Sequence, residues 1–237
     1  MSPRPNVIRA LPQHGPPDEQ SPESRSLRDL RILIVDDHTI VRDGLKQLLK
    51  DRLGTNNFGE AANARDALAL AEESEWDIVL LDISLPGQSG LDILKQLKTL
   101  RPAAKILILT MHPESQYALR VLKAGASGYL TKDTAASEML AALNKVLSGG
   151  KYVSAALAEK IISNLDHPAD KAPHEALSDR EYQVMRMIAM GKTVKEISFE
   201  LGLSIKTVST YRTRVFTKLN FKTNADVIRY ALEEKLI

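Results

Sequence analysis

Residues 78–92, IVLLDISLPGQSGLD, decide the fold. Ile78-Val79-Leu80-Leu81 is apolar without alternation, as a strand covered on both faces is, and it stops at Asp82. Working outward, the same design recurs on both sides. Ile32-Leu33-Ile34-Val35 runs into Asp36-Asp37, and Ile106-Leu107-Ile108-Leu109 runs into Thr110. Residues 58–61 and Gly128-Tyr129-Leu130 supply two more short runs, the second ending near Lys132. Segments of helical period at 41–49, 64–71, 91–100, 117–122 and 135–147 follow them in turn. Five such β/α repeats across residues 30–150 predict a doubly wound, five-stranded parallel sheet of the α/β class.

The flanks read differently. Residues 1–29 hold six of the eleven prolines and no apolar period, which predicts a disordered extension. Gly149-Gly150 stops the last helix of the repeats. Ser154 then caps a short helix to about residue 164, and 166–176, with two prolines, reads as linker, so 151–176 joins two domains. Residues 177–237 are helical throughout. Ser178 and Glu181 make a capping box, and the apolar pattern predicts four helices, the middle pair at 193–201 and 205–219 with Gly202-Leu203-Ser204 between them.

Composition sets outer limits. The chain of 237 residues is long enough for two ordinary domains. It has no cysteine, which excludes disulfides, thiolate metal sites and cysteine nucleophiles. No apolar run approaches the roughly 18 residues of a membrane helix, and no signal-peptide core follows the N-terminus. A cytoplasmic protein without a membrane span is the expectation.

In open α/β sheets, ligands bind beyond the carboxyl ends of the strands. Here those ends carry Asp36, Asp37, Asp82, Thr110 and Lys132. One Asp after a strand is ordinarily a turn residue. Four strands delivering three carboxylates, a hydroxyl and an ammonium to one edge is a different matter. Clustered carboxylates repel unless a cation joins them, and hard oxygen donors suit Mg2+. Such an ion aligns a phosphoryl group with a carboxylate nucleophile, while Lys132 and Thr110 hold the remaining oxygens.

Asp36-Asp37, LLDISLPGQSGLD, LILTMH and GASGYLTKD together resemble the receiver domain of bacterial two-component response regulators over residues 31–150, a flavodoxin-like fold. The resemblance implies Asp82 as phosphoacceptor. It also implies Asp37, Asp82 and the Ser84 carbonyl as Mg2+ ligands, with Asp36 acting through a metal-bound water. Thr110 and Lys132 would contact the phosphoryl group, and Tyr129 would be the aromatic switch that turns inward with the threonine. From its residue type alone, Tyr129 is equally a packing residue. Ser84 and His112 match positions that tune phosphoryl lifetime, and Pro86-Gly87 suits a tight turn beside the site.

The C-terminal domain is basic. Residues 178–237 carry eleven Lys or Arg against seven Asp or Glu, a difference of +4. A helix, a short turn with Gly and a longer basic helix predict a helix-turn-helix, whose second helix enters the major groove. Val208, Val215 and Leu219 would be core, and Ser209, Thr210 and Thr213 would face base edges. Lys206, Arg212 and Lys218 would meet phosphates from the flanks. The stretch from Leu177 resembles the LuxR-type output domain of the NarL/FixJ group, which places Lys195, Thr207, Tyr211 and Arg214 at the DNA backbone. Tyr211 stands where that group frequently has histidine. The same resemblance makes Val227, Ile228, Ala231 and Leu232 a dimer surface, while packing against the first helix of the domain accounts for some of them.

The combined expectation is a transcription factor, not an enzyme, phosphorylated on Asp82 by a sensor histidine kinase and binding double-stranded DNA as a homodimer. A different class is a receiver acting as phosphate sink or docking module, with DNA binding uncoupled from phosphorylation. A phosphatase of the haloacid dehalogenase type would want a second Asp two residues after the nucleophile, where this chain has Ser84.

Overall fold

The computed structural model describes residues 27–85, 88–166 and 172–237. Most of the extension expected at 1–29, and Pro86-Gly87, therefore lie outside the described residues.

Five parallel strands, β1 (Arg31–Val35), β2 (Asn57–Ala61), β3 (Ile78–Leu81), β4 (Lys105–Thr110) and β5 (Gly128–Thr131), form one sheet in the order β2-β1-β3-β4-β5. The register sets Val35 against Leu81 and Leu81 against Ile108, which aligns the strand ends that carry the polar residues. Five helices cross over the faces: α1 (Thr39–Leu53), α2 (Ala64–Glu73), α3 (Gly90–Leu100), α4 (Glu114–Lys123) and α5 (Ala135–Leu147).

Alternation along the strands divides the core. Ile32, Ile34, Leu80 and Leu107 pack against α1 and α5, while Leu33, Val35, Leu81 and Ile108 pack against α2, α3 and α4. This is why β1, β3 and β4 are apolar on both faces. Gly90, at the start of α3, is required by a close approach: a Cβ there would lie 2.3 Å from the Ile83 Cα.

The short helix expected after Ser154 is present, and the residue pairing before it ties it to the sheet. Tyr152 extends the sheet edge through a parallel bridge to Gly128, its carbonyl accepting from the Tyr129 amide at 3.0 Å. α6 (Ala155–Asp166) follows with the Ser154 hydroxyl accepting from the Leu157 amide. A 3-10 turn at Pro173–Ala176 leads into the last domain.

That domain comprises α7 (Asp179–Ala189), α8 (Val194–Leu201), α9 (Ile205–Leu219) and α10 (Asn224–Glu233). The capping box of Ser178 and Glu181 is present, and further boxes at Thr193/Glu196 and Thr223/Asp226 start α8 and α10. Gly202, at φ 61°, takes the left-handed conformation that ends α8 and turns the chain into α9. The core on the α2–α4 face of the sheet continues without a break into this domain through Tyr117 and Tyr182.

Candidate functional site

The strand register brings Asp36, Asp82 and Lys132 into direct contact. The Lys132 ammonium lies 2.6 Å from Asp82 Oδ2 and 2.6 Å from Asp36 Oδ2. Both aspartates are buried. Burial opposes the charge on Lys132, but its hydrogen bonds to Asp36 and Asp82 outweigh that and hold the ammonium above the ordinary lysine range. Asp82 Oδ1 accepts the Ser84 amide at 2.9 Å. Asp36 Oδ1 accepts the His38 amide at 2.9 Å.

Asp37 is more exposed and sits 2.7 Å from His38 Nδ1. Oxygens of Asp36 and Asp37 and a ring nitrogen of His38 lie within 4.8 Å of one another. Three carboxylates (−3) and one ammonium (+1) leave the pocket at −2, a charge and donor set that fit a hard divalent cation. His38 carried no separate signal in the sequence, because its place beside Asp37 depends on the start of α1.

Thr110 is fully buried. Its carbonyl accepts from the Lys132 amide at 2.8 Å, and its hydroxyl accepts from the His112 amide at 3.4 Å. Ser84 Oγ and His112 Nε2 lie 3.0 Å apart, linking the β3 and β4 loops beside Asp82. Burial, then the charge of Arg186, push the His112 imidazole below its usual range. Tyr129 is 1% exposed and its hydroxyl donates to the His112 carbonyl at 2.8 Å. The Tyr129 ring is thus inward in this structure, and burial drives its phenol pKa upward.

In the helix-turn-helix, Val208 and Val215 are core, whereas Ser209, Thr210 and Thr213 stand exposed on α9. The hydroxyls of Thr210 and Thr213 donate to the carbonyls of Lys206 and Ser209. Lys195 and Lys206 are exposed, Thr207 helps cap α9, and Arg212 donates to Asn224 Oδ1 at 3.1 Å. Lys218, also exposed, has a partner inside its own domain. Its ammonium lies 2.6 Å from the buried carboxylate of Glu181, tying α9 to the start of α7. On α10, Val227 and Ala231 have no exposed surface and belong to the core, so Ile228 and Leu232 alone of the four present an outer face.

The sequence reading missed the contact between the domains. Arg120 donates to the Leu177 carbonyl at 2.9 Å and to that of His174, and the Tyr182 hydroxyl donates to the Gln116 carbonyl at 2.8 Å. Lys95 pairs with Asp179 at 2.7 Å and Lys123 with Glu175 at 2.8 Å. Between the domains lies a cavity of about 810 Å³, and Tyr211 and Arg214 of α9 line it together with Asp92, Lys95, Gln116 and Arg120. Part of the helix expected to meet DNA thus faces the receiver.

Comparison with known proteins identifies both domains. Residues 32–144 match the response regulator receiver domain, and residues 175–231 match the bacterial regulatory proteins of the luxR family. Response regulator UvrY of Escherichia coli (strain K12) is 37% identical over 208 residues, 87% of this chain and 95% of that protein. Response regulator GacA of Pseudomonas aeruginosa is 35% identical over 209 residues, 88% of this chain and 98% of its own. Among solved structures, RcsB of Salmonella typhimurium superposes with a TM-score of 0.64 at 25% identity, covering 86% of this chain and 98% of the other. RcsB of Salmonella enterica serovar Typhimurium, bound to promoter P1flhDC in the presence of the phosphomimetic BeF3−, gives 0.54 at 25% identity, covering 87% and 98%. The chain belongs to the two-component response regulators of the NarL/FixJ group, DNA-binding transcription factors with a receiver and a LuxR-type domain.

Proposed function

We propose that Asp82 is the phosphoacceptor and that its phosphorylation releases α9 from the receiver. The observation that carries this is the Lys132 ammonium shared by Asp82 and Asp36 at the carboxyl edge of the sheet. A carboxylate oxygen of Asp82 attacks the phosphorus of a kinase phosphohistidine; the new O–P bond forms as the P–N bond breaks, and the imidazole leaves. Lys132 transfers its bonds from the Asp82 oxygen to the phosphoryl oxygens, and the Thr110 hydroxyl donates to another of them. Asp36, Asp37, Asp82 and the Ser84 carbonyl would hold Mg2+, which supplies neutralisation of phosphoryl charge. The reaction alters only this protein's own side chain, in keeping with a regulator and not an enzyme of metabolism.

With Tyr129 already inside, the part left to move is the loop of residues 111–113, whose carbonyls hold the Tyr129 hydroxyl. That loop leads into α4, which carries Gln116, Arg120 and Lys123 at the domain contact. Its shift would part the domains, free Tyr211 and Arg214, and let two copies meet through Ile228 and Leu232 on paired half-sites. Ser209, Thr210 and Thr213 would then read bases while Lys195, Lys206, Thr207, Arg212 and Arg214 meet the backbone. RcsB was solved on promoter DNA in the presence of a phosphomimetic, which fits DNA binding by the phosphorylated form here. Kinase, cation and DNA would meet this chain in the cytoplasm; none of its helices, among the described residues, is long and apolar enough to cross a membrane.

The test is Asp82→Asn. Labelling by a phosphodonor and the donor-dependent gain in DNA affinity are both expected to vanish. DNA binding by the variant that still responds to the donor would sink the reading.

A further inference from the structure

We propose that the docked DNA-binding domain holds the mouth of the Asp82 pocket closed through a chain of aromatic contacts, with His112 as the positioning residue at its end. The proposal rests on Asp82 as phosphoacceptor and adds that the C-terminal domain contributes to the chemistry there.

His112 is the junction. Its Nε2 faces Ser84 Oγ at 3.0 Å, its amide donates to the Thr110 hydroxyl, and its carbonyl holds the Tyr129 hydroxyl. Its ring centroid lies 5.0 Å from that of Tyr117 on α4. Tyr117 meets Tyr182 of α7 edge-on at 5.5 Å, and the Arg186 guanidinium sits 5.0 Å from the Tyr117 ring centre. Tyr182 is anchored in turn by the Gln116 carbonyl and by the Arg120 guanidinium, 4.1 Å from its ring centre. Direct contacts therefore run from α7 to a hydroxyl two residues past Asp82. Edge-to-face aromatic pairs and cations over rings have preferred geometries.

Packed side chains shift between discrete arrangements and do not compress, so fixing Tyr117 from the α7 side fixes the His112 ring. Ser84 and His112 flank Asp82, and the docked domain keeps them joined beside it. Docking and phosphoryl occupancy then weaken each other by the same factor, as linkage demands. Whatever captures the C-terminal domain elsewhere, DNA included, favours the loaded receiver.

The experiment uses the full chain, Mg2+ and acetyl phosphate, with the rate of Asp82 labelling as readout. Lys95→Glu with Lys123→Glu reverses two exposed rim charges of the docking surface without touching either core. The pair is expected to speed labelling at least three-fold. In a His112→Ala background, itself faster than the native chain, the same pair is expected to add nothing. Tyr182→Phe, which deletes only the bond to the Gln116 carbonyl, is expected to give a smaller acceleration with the same dependence on His112. Equal acceleration with and without His112, or none with it, would overturn the relay. Labelling that survives Asp82→Asn would instead remove the phosphoacceptor reading beneath it.

Discussion

The two functional regions handle charge in opposite ways. In the receiver one ammonium, Lys132, is enclosed with two buried carboxylates at 2.6 Å each. On the helix-turn-helix, Lys195, Lys206 and Arg214 are exposed and make no ion pair among the described residues. Coulomb energy at the same distance is several-fold larger away from water, so the pocket commits its charges to fixed partners. The exposed cations are screened by salt and exchange counterions for phosphates at little cost. Chemistry at one residue demands the first arrangement, and reversible recognition of a polyanion demands the second.

Removing Lys132 breaks that contrast most severely. Lys132→Met leaves Asp36 and Asp82 facing each other without a cation, and loss of one partner from a buried pair costs about 3–5 kcal/mol. Urea unfolding is expected to show a loss of that order without divalent ions, and Mg2+ is expected to restore more stability to the variant than to the native chain. Equal midpoints for the two proteins, both without the ion, would contradict the role given to Lys132. The native chain carries a matching pH signature. The folded pKa of Lys132 is raised, so its contribution is complete below the ordinary lysine value of 10.5 and disappears as pH rises through the folded value. Lys132→Met should lack that alkaline loss.

Lys218 tests where the two regimes meet. Sequence placed it among the phosphate contacts, yet it caps the buried Glu181, whose carboxyl also accepts the Ser178 amide at 2.8 Å. Burial raises the Glu181 pKa, but the bonds from Lys218 and Ser178 prevail and hold it below the usual glutamate value. That stabilisation exists above the unfolded pKa and is lost as pH falls through the folded one, below 4.5. Since the lysine side chain is substantially exposed, Lys218→Met is expected to cost only about 1 kcal/mol, and to flatten the acid limb of the stability profile. Undiminished stability at neutral pH would return Lys218 to the DNA surface.

These cases show what the chain alone discloses. The sheet was legible because β1, β3 and β4, buried on both faces, must be apolar, and each runs into a polar residue that packing does not call for. Helix ends at Ser178, Thr193 and Gly202 were legible because capping is local chemistry. Tyr182 was legible only as an apolar helix position; its hydroxyl on the Gln116 carbonyl joins residues 66 apart in sequence, and no periodicity reports that. The ion pair of Lys218 and the depth of Val227 are hidden from the sequence for the same reason. Whether a basic or apolar side chain turns outward or toward a neighbouring helix is settled by tertiary packing, which buries Val227 and pairs Lys218.

Lys206 provides the smallest and cleanest contrast. It lies at the start of α9, exposed, and its backbone carbonyl accepts the Thr210 hydroxyl while its side chain has no ion pair among the described residues. Truncation to alanine touches no core residue, so stability is expected to stay within about 0.5 kcal/mol of native. If Lys206 neutralises one phosphate, the variant loses affinity for all duplexes to a similar degree, and the slope of log affinity against log salt falls by about 1. Lys218→Met, compared side by side, is expected to leave that slope unchanged while lowering the melting temperature. A salt slope that moves for Lys218 and not for Lys206 would reverse the assignment of the two lysines, and with it the division between charges that build this domain and charges that meet DNA.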